Sequence, residues 1–313
     1  MPYRIIQSKQ NARLKELRRA LAHPGRGERS LAGIEGPNLL QEALRAGLRV
    51  DCVFAAQGVE ELLEGLALPP ETEILLLPKE LLDSALTTEA PQAIAALVET
   101  PDWSWANVLG NRGKTAPLVV VLAGVQDPGN LGTILRSAEA FGADGVLSLP
   151  GTVSAWNPKA VRASAGSVFR LPLVSASAEE SFARLREAGA TIWTTAVQGA
   201  KPAPEVDLAG AVALLIGNEG NGVPEDVAAQ ADGAVTIPCP GTVESLNAAV
   251  AASVLLYEAS RQRAEGVPSH PSRKNKSVAR VGHPDSGVGH PDLKAGHPDL
   301  KVKHPGALIG GRR

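Results

Sequence analysis

Residues 123–145 read AGVQDPGNLGTILRSAEAFGADG and place a glycine-rich turn between an apolar run and a segment of helical character. Turns of this kind bind phosphate in many proteins, and the dinucleotide fingerprint G-x-G-x-x-G requires three glycines in a fixed order. Gly129 and Gly132 match the last two glycines, but Asp127 stands where the first is required. The mismatch argues against a nucleotide-dependent oxidoreductase.

Two further segments have the composition of ligand-binding loops. The turn G217-N-E-G-N-G222 has its glycines in the reverse order, and Glu219 in its middle would repel a pyrophosphate. The segment I237-P-C-P-G-T-V-E-S-L-N247 leads from a strand through a loop into a long helix. We expect Ser245 to be the N-cap of that helix and Asn247 to lie in its first turn. Polar side chains and free backbone N–H groups at a helix start favour a binding site.

The chain divides into four parts by composition. Residues 1–105 contain helical pieces (GPNLLQEALRAG, GVEELLEGL, KELLDSAL) and short apolar runs (RVDCVFAA, EILLLP), which predict a small α/β domain. Residues 106–116 are polar and predict a linker. In residues 117–265 the runs PLVVVLAGV, DGVLSLP, ATIWTTAV, AVALLIG and GAVTIP alternate with helical segments, which predicts a mainly parallel sheet covered on both faces. Residues 266–313 contain GHPD at 282, 289 and 296 and KHPG at 303, a period of seven, so we expect a disordered basic His-Pro-rich tail.

The overall composition is typical of a globular protein. The chain has 313 residues, of which 44% are hydrophobic and 20% charged. No run approaches the roughly 18 apolar residues of a membrane span, and the first residues lack a secretory signal, so we expect a cytoplasmic protein without a membrane partner. Cys52 and Cys239 match no metal or redox spacing, and five of the six histidines lie in the tail. We therefore expect reduced thiols and no physiological metal site.

Positive charge is concentrated at both ends of the chain. Residues 1–30 carry eight Lys or Arg against two Asp or Glu. Lys9, Arg13 and Lys15 alternate with leucines at helical spacing, which predicts an apolar stripe on the core and a basic face directed outward. Such a face is typical of a nucleic-acid binder, although charge alone fits a solvated helix face equally well.

The segments described above resemble a known family. N130-L-G-T-I-L-R136-S-A-E-A-F-G, the turn 217–222 and the segment 237–247 are similar, in this order, to the three motifs of the SpoU/TrmH family of RNA ribose 2′-O-methyltransferases, within the SPOUT superfamily. N157-P-K-A-V-R-A-S-A-G-S-V-F-R-L-P resembles the family's stretch between the first two motifs, and residues 32–44 resemble part of its small substrate-binding domain. The chain departs from the family at Cys239, where methionine is common, and in the tail.

The resemblance implies a trefoil-knotted SPOUT methyltransferase domain preceded by a small α/β substrate-binding domain. It also implies S-adenosyl-L-methionine as the cofactor, RNA as the substrate and a homodimer as the working form. The general rule that connections are not knotted argues against such a topology, so the knot depends on the resemblance alone. The alanine-rich helix after residue 247 is the expected dimer contact.

Residue roles follow from the same resemblance. The implied cofactor contacts, mostly through the backbone, are Thr195 and Ala196 with the preceding Thr194, Gly217, Ile237 and Leu246. A side chain at Gly217 is expected to block the adenine slot. The implied catalytic residues are Asn130, which orients the nucleotide or the arginine, Arg136, which faces the ribose, Glu219, which braces the second turn, and Ser245 and Asn247, which anchor substrate or arginine. Lys159 and Arg162 are expected to contact RNA phosphates, as are Lys9, Arg13 and Lys15.

Arg136 has two interpretations. Taken alone, its spacing favours a surface ion pair with Glu139 at i+3, whereas within the motif we favour catalysis. Because the motifs contain no histidine, we expect Arg136 to be a charge-assisted donor that stabilises the ribose oxyanion, and proton removal stays open between Arg136 and water. The alternatives are a catalytically inactive RNA-binding ribosome-assembly factor and a transfer-RNA ribose methyltransferase. The small N-terminal domain favours ribosomal RNA.

Overall fold

A computed structural model describes residues 3–25, 29–109, 116–196, 199–242 and 245–265. All of them belong to one compact unit that spans residues 1–268. The predicted disordered tail, 266–313, lies outside the described residues. Within them, no helix has the length and apolar character needed to cross a membrane.

The first half of the chain forms a five-stranded mixed sheet in the order β1-β4-β3-β5-β2. Its strands are β1 (Tyr3–Ile5), β2 (Leu31–Glu35), β3 (Val50–Ala56), β4 (Glu73–Leu77) and β5 (Ile94–Glu99). Its helices are α1 (Ala12–Ala22), α2 (Pro37–Arg45), α3 (Glu60–Glu64) and α4 (Lys79–Asp83). β4 pairs in parallel with β1 and β3, while β5 pairs antiparallel with β2 and β3. The predicted strands β3 and β4 and the three predicted helices are present.

The second half forms a seven-stranded sheet in the order β10-β12-β9-β11-β6-β7-β8, and every pair in it is parallel. Its strands are β6 (Leu118–Ala123), β7 (Gly145–Ser148), β8 (Leu173–Ser175), β9 (Thr191–Thr195), β10 (Lys201–Pro202), β11 (Val212–Gly217) and β12 (Gly233–Thr236). Its helices are α5 (Trp105–Leu109), α6 (Pro128–Ala140), α7 (Pro158–Ser164), α8 (Ala178–Glu187), α9 (Glu225–Ala228) and α10 (Ala248–Glu265), with 3₁₀ turns at Ser167–Phe169 and Ala203–Glu205. The predicted parallel sheet is confirmed.

Apolar side chains cover both faces of this sheet. On β6, Val120 belongs to the cluster that contains the buried residues of α6, α7 and α10, whereas Val119 and Val121 belong to the cluster that contains those of α8. This alternation follows from the two-residue period of a strand, since successive side chains point to opposite faces. The first cluster also contains Ile34 and Leu40 of the five-stranded sheet and its helix α2. The two sheets therefore share a continuous apolar core.

The first four residues of the segment predicted as a linker, 106–116, are helical. The segment begins within α5, whose Val108 is completely buried in the cluster on the α8 face. A Cβ atom at Gly145 of β7 would lie 2.9 Å from the Cα of Val108, so α5 packs directly on the strand. The Nε1 of Trp105 donates a hydrogen bond to Glu180 of α8 at 3.2 Å. Residues 105–109 thus form part of the seven-stranded half.

Candidate active site

The three motifs meet at one edge of the seven-stranded sheet, where β6, β9, β11 and β12 have their carboxyl ends. Open α/β sheets bind ligands at this edge. A cavity of about 730 Å³ lies here, which is within the usual range of small-molecule sites. Its lining includes every residue that the sequence predicts to contact the cofactor, namely Thr194, Thr195, Ala196, Gly217, Ile237 and Leu246.

The lining of the cavity fits a nucleoside-like group. The lining contains three glycines, at 217, 220 and 222, so the backbone there is accessible to a ligand. Leu246, Ile237 and Leu255 add apolar surface to the lining. Flat heterocycles are bound by this combination of apolar side chains and main-chain hydrogen-bond groups. The cavity is therefore suited to the adenosine part of S-adenosylmethionine.

The first motif forms the start of α6. The Asp127 carboxylate caps the helix by accepting a hydrogen bond from the backbone N–H of Asn130 at 2.8 Å, and Pro128 occupies the first helical position. Gly132 allows α6 and α7 to pack closely, because a Cβ atom there would overlap the carbonyl oxygen of Ala160 and lie 2.6 Å from the Cβ of Ala163. The absence of a side chain at Gly132 is therefore required for the packing of these two helices.

The second motif is a tight loop closed on itself. The backbone N–H groups of Asn218 and Gly222 each donate to the carbonyl oxygen of the other, at 2.8 and 3.0 Å. The Asn218 side chain accepts a bond from the Gly220 N–H at 2.8 Å and donates to the Gly124 carbonyl at 2.9 Å, and thus joins the loop to the end of β6. Sequence reasoning missed Asn218, although an asparagine beside glycines is a known signal of such turns.

Gly217 has a packing role in the loop, and the cofactor contact predicted for it stays a prediction. A Cβ atom at this position would overlap backbone atoms of Gly222 and Val223. The absence of a side chain at Gly217 is therefore required for closing the loop. A larger residue would disturb the cavity through the loop rather than by filling the adenine slot itself.

The third motif precedes α10, and the prediction that Ser245 is the helix N-cap is wrong. The helix begins at Ala248, and the Asn247 side chain accepts hydrogen bonds from the backbone N–H groups of Ala249 and Val250 at 3.0 and 3.2 Å. Asn247 is consequently the cap and lies before the first turn. Ser245 is exposed and lies two residues earlier, in the lining of the cavity.

A hydrogen-bonded chain of side chains joins the three motifs. The Nδ2 of Asn247 donates to the Oδ1 of Asn130 at 3.0 Å, and the Nδ2 of Asn130 donates to the Oε1 of Glu219 at 2.8 Å. Sequence reasoning assigned these three residues to the site separately, and the structure brings them into contact. Both amide groups of the chain are thereby fixed in orientation, with the Glu219 carboxylate at one end.

Arg136 lies on α6, six residues after Asn130, and is exposed. Within the part of the chain that the structure describes, its guanidinium makes no hydrogen bond or ion pair. Glu139, the partner considered for it, accepts two hydrogen bonds from the guanidinium of Arg170. Arg136 is thus available to a ligand that approaches from solvent.

The residues predicted to bind RNA differ in their solvent exposure and in the ion pairs that they already make. Lys9, Lys15 and Arg162 are exposed, and Lys159 is exposed while bonded to the Asp127 carboxylate at 2.9 Å. This bond lowers the pKa of Asp127. The outward orientation predicted for Arg13 is wrong, because its guanidinium binds three carboxylates and is half-buried. These carboxylates are Glu16, Asp51 and Glu73, at 2.7 to 2.9 Å.

The two cysteines are free thiols in different surroundings. Cys52 is buried in β3, and burial raises the pKa of its thiol. Cys239 is exposed and contributes to the lining of the cavity. Among the described residues, no group of three or more His, Cys, Asp or Glu side chains is arranged to hold a metal ion.

Comparisons with known proteins agree with this geometry. Residues 117–257 match the model of the SpoU rRNA Methylase family, and residues 34–104 match that of RNA 2′-O ribose methyltransferase substrate binding. The 23S rRNA (guanosine(2553)-2′-O)-methyltransferase RlmP of Bacillus subtilis is 33% identical over 256 residues, which cover 80% of this chain and 97% of that protein. This chain belongs to the SpoU family.

Two crystal structures of AdoMet-bound methyltransferases have the same fold. The SpoU methyltransferase AviRb from Streptomyces viridochromogenes, in complex with AdoMet, is 29% identical, with a TM-score of 0.70 over 82% of this chain and all of that one. The AdoMet-bound rRNA methyltransferase from Sinorhizobium meliloti is also 29% identical, with a TM-score of 0.71 over 83% of this chain and 98% of that one. The predicted fold class is confirmed, and the trefoil knot stays a prediction. The protein is an S-adenosylmethionine-dependent RNA ribose 2′-O-methyltransferase.

Proposed function

We propose that this methyltransferase acts on ribosomal RNA, as a cytoplasmic homodimer, and that Arg136 contacts the ribose whose 2′-hydroxyl receives the methyl group. The observation that carries the proposal is the position of Arg136 relative to the cavity. Asn130, at the start of α6, is bonded to the second and third motifs beside the cavity. Arg136 follows on the same helix, about 9 Å further along its axis, exposed to solvent.

The proposed chemistry assigns Arg136 to charge stabilisation. Bound S-adenosylmethionine supplies an electrophilic methyl group to the reaction. The 2′-oxygen gains negative charge as its hydroxyl loses a proton, and a guanidinium stabilises such an oxygen with charge-assisted hydrogen bonds. Because the pKa of arginine lies above about 12, Arg136 remains protonated and acts as a donor. The planar guanidinium of Arg136 can also bind a neighbouring phosphate, and this contact orients the ribose.

Single-turnover assays with labelled cofactor test this role. Arg136→Ala should lower the methyl-transfer rate by roughly 10²-fold, as the loss of one oxyanion donor does, while cofactor affinity stays at the wild-type value. Arg136→Lys should not restore the rate, because an ammonium group lacks the planar fork. Arg184→Ala, which removes an exposed arginine of α8, is the matched control and should leave the rate unchanged. An Arg136→Ala variant with most of its activity would contradict the assignment.

The proposed dimer uses one face of α10. Val250, Val254 and Tyr257 follow each other at intervals of four and three residues, and their exposed fractions are 48%, 39% and 56%. An exposed apolar row of this kind favours contact with a second copy. The row borders α6, since Tyr257 packs edge-on against Phe141 with 5.8 Å between ring centroids. A partner on this row would therefore lie close to the helix that carries Arg136.

Light scattering tests the dimer directly. The wild-type protein should be a dimer at micromolar concentration, and Val254→Glu should produce a folded monomer because it places a charge in the apolar contact. Ala183→Glu is the comparison variant, because Ala183 is exposed on α8, which packs on the opposite face of the sheet from α10. A monomeric wild-type protein would contradict this part of the proposal.

Ribosomal RNA is proposed as the substrate because of the relatives and the small domain. The name of the Bacillus subtilis relative specifies 23S rRNA, and the substrate-binding model covers residues 34–104, which form most of the five-stranded half. Mapping of ribose methylation in ribosomal and transfer RNA from a deletion strain should reveal one ribosomal nucleotide that loses its methyl group. A loss confined to transfer RNA would favour the alternative substrate. Unchanged methylation in both, together with no single-turnover activity, would favour an inactive assembly factor.

A further inference from the structure

We propose that Arg170 is a positioning residue, which binds the Glu139 carboxylate and thereby keeps the Arg136 guanidinium available for RNA. This inference rests on the role proposed above for Arg136. It concerns a residue outside the cavity and outside the three motifs.

Arg170 occupies both oxygens of the Glu139 carboxylate. Its Nε donates to Oε1 at 2.5 Å, and its Nη2 donates to Oε2 at 3.0 Å. The remaining nitrogen, Nη1, donates to Oε2 of Glu42 at 2.8 Å. The Glu139 carboxylate raises the pKa of Arg170, and Glu42 adds to the effect. A two-bond pair of this type is among the strongest contacts that an arginine can make.

Glu139 is placed where it could otherwise neutralise Arg136. The two residues are separated by three positions on α6, and oppositely charged side chains at this spacing are neighbours on a helix surface. Two arginines therefore compete for one carboxylate. Arg170 has the advantage because its pair with Glu139 is bidentate and partly shielded, whereas Arg136 is exposed. Arg136 consequently has no ion-pair partner among the described residues.

Arg170 is bound by carboxylates from two helices, one in the five-stranded half and one in the seven-stranded half. Glu42 lies on α2 of the five-stranded half, and Glu139 lies on α6. Close packing holds α2 in place, because a Cβ atom at Gly166 would lie 2.8 Å from the Cβ of Glu42. The side chain of Arg170 is therefore held between the carboxylates of Glu42 and Glu139. Its contact with Glu139 is pre-organised by the fold.

A rescue experiment separates this role from a purely structural one. Arg170→Ala should lower the single-turnover rate at saturating RNA by about tenfold, because the Glu139 carboxylate, no longer bound by Arg170, lies one helical turn from Arg136 and opposes its charge. The cofactor Kd should change by less than about twofold, because Arg170 does not line the cavity. Addition of Glu139→Gln in the same chain should restore most of the rate, because it removes that carboxylate. If Arg170 only stabilised the fold, Glu139→Gln would not restore the single-turnover rate of Arg170→Ala.

A second pair of variants leaves Arg170 intact, so that the inference can be tested even if Arg170→Ala does not fold. Thr133 is exposed and lies three residues before Arg136 on α6. Thr133→Glu places a carboxylate beside Arg136 that Arg170 does not bind, and it should lower the rate by a similar factor. Thr133→Gln has the same size without the charge and should retain the wild-type rate. Glu42→Gln, which keeps the pair of Arg170 with Glu139, should also retain it.

The outcomes distinguish this inference from the proposed function. If Arg136→Ala is slow, but Arg170→Ala is as fast as the wild type or is not rescued by Glu139→Gln, the inference is wrong and the function of Arg136 stands. Equal rates for Thr133→Glu and Thr133→Gln would overturn the inference as well. If Arg136→Ala itself retains the wild-type rate, the proposed role of Arg136 fails, whatever the other variants do.

Discussion

Substitution of Gly217 by alanine should weaken cofactor binding strongly, although it adds only one methyl group. The new Cβ atom would overlap the carbonyl group of Gly222 and the nitrogen of Val223, which are backbone atoms that cannot rotate away. Added groups in a closely packed region cost about 1–3 kcal/mol, because the surroundings must shift. At Gly217 the part that must shift is the loop 217–222, which forms a wall of the cavity. The expected increase in the Kd for S-adenosylmethionine is about 10- to 100-fold.

Isothermal titration calorimetry measures this effect, and the same loop offers a matched control. A Cβ atom at Gly220 would meet only the Asn218 side-chain oxygen, at 3.5 Å, which is an ordinary contact. Gly220→Ala should therefore bind the cofactor with near wild-type affinity. Thermal unfolding should show both variants folded. Wild-type affinity in Gly217→Ala would refute the conclusion that loop closure shapes the cavity, and equal losses in the two variants would show that the loop tolerates no side chain at all.

Two further predictions concern the starts of α6 and α10. Asn247→Ala should lower the free energy of unfolding by about 1 kcal/mol, because the N-cap of α10 is lost, and chemical denaturation measures this change. Asp127 has a lowered pKa because Lys159 donates a hydrogen bond to it, so its stabilisation is complete above the unfolded pKa of about 3.9 and is lost as the pH falls through the folded value. The melting-temperature difference between the wild type and Asp127→Asn should therefore shrink as the pH is lowered from 6 towards about 3.

Control variants make these two predictions specific. Asn247→Asp retains an N-cap acceptor but cannot donate to Asn130, so it should keep most of the stability that Asn247→Ala loses. Equal losses in the two variants would show that the bond to Asn130 matters more than the cap. For Asp127, a melting-temperature difference that stays constant between pH 6 and 3 would show that the bond with Lys159 contributes nothing.

The location of the cavity was predictable from sequence, whereas its internal contacts were not. Each motif follows an apolar run, and the carboxyl ends of parallel strands meet at one edge, so the motifs had to converge there. The bond between Asn130 and Glu219 joins residues 89 positions apart, and no local pattern indicates it.

The strands β2 and β5 were not identified from the sequence, because LAGIE and IAALVE are short and almost completely buried, without the alternation of a half-exposed strand. The helix that contains Arg13 was predicted correctly, but the inward contacts of its side chain were not, because two of its three carboxylate partners lie on the distant strands β3 and β4.

The position of Asn247 in the site also depends on a residue at the far end of α10, which the sequence does not single out. An arginine in the last helical turn is ordinary, because its positive charge interacts favourably with the negative end of the helix dipole. In the structure, however, the Arg263 guanidinium donates to the carbonyl oxygens of Ala116 and Pro117, just before β6, and of Leu208 and Gly210, before β11. Burial lowers the pKa of Arg263, a cost that these four bonds to neutral carbonyls offset. Because a helix is rigid over 18 residues, fixing its last turn against the starts of β6 and β11 also fixes Asn247 at their opposite ends, where the cavity lies.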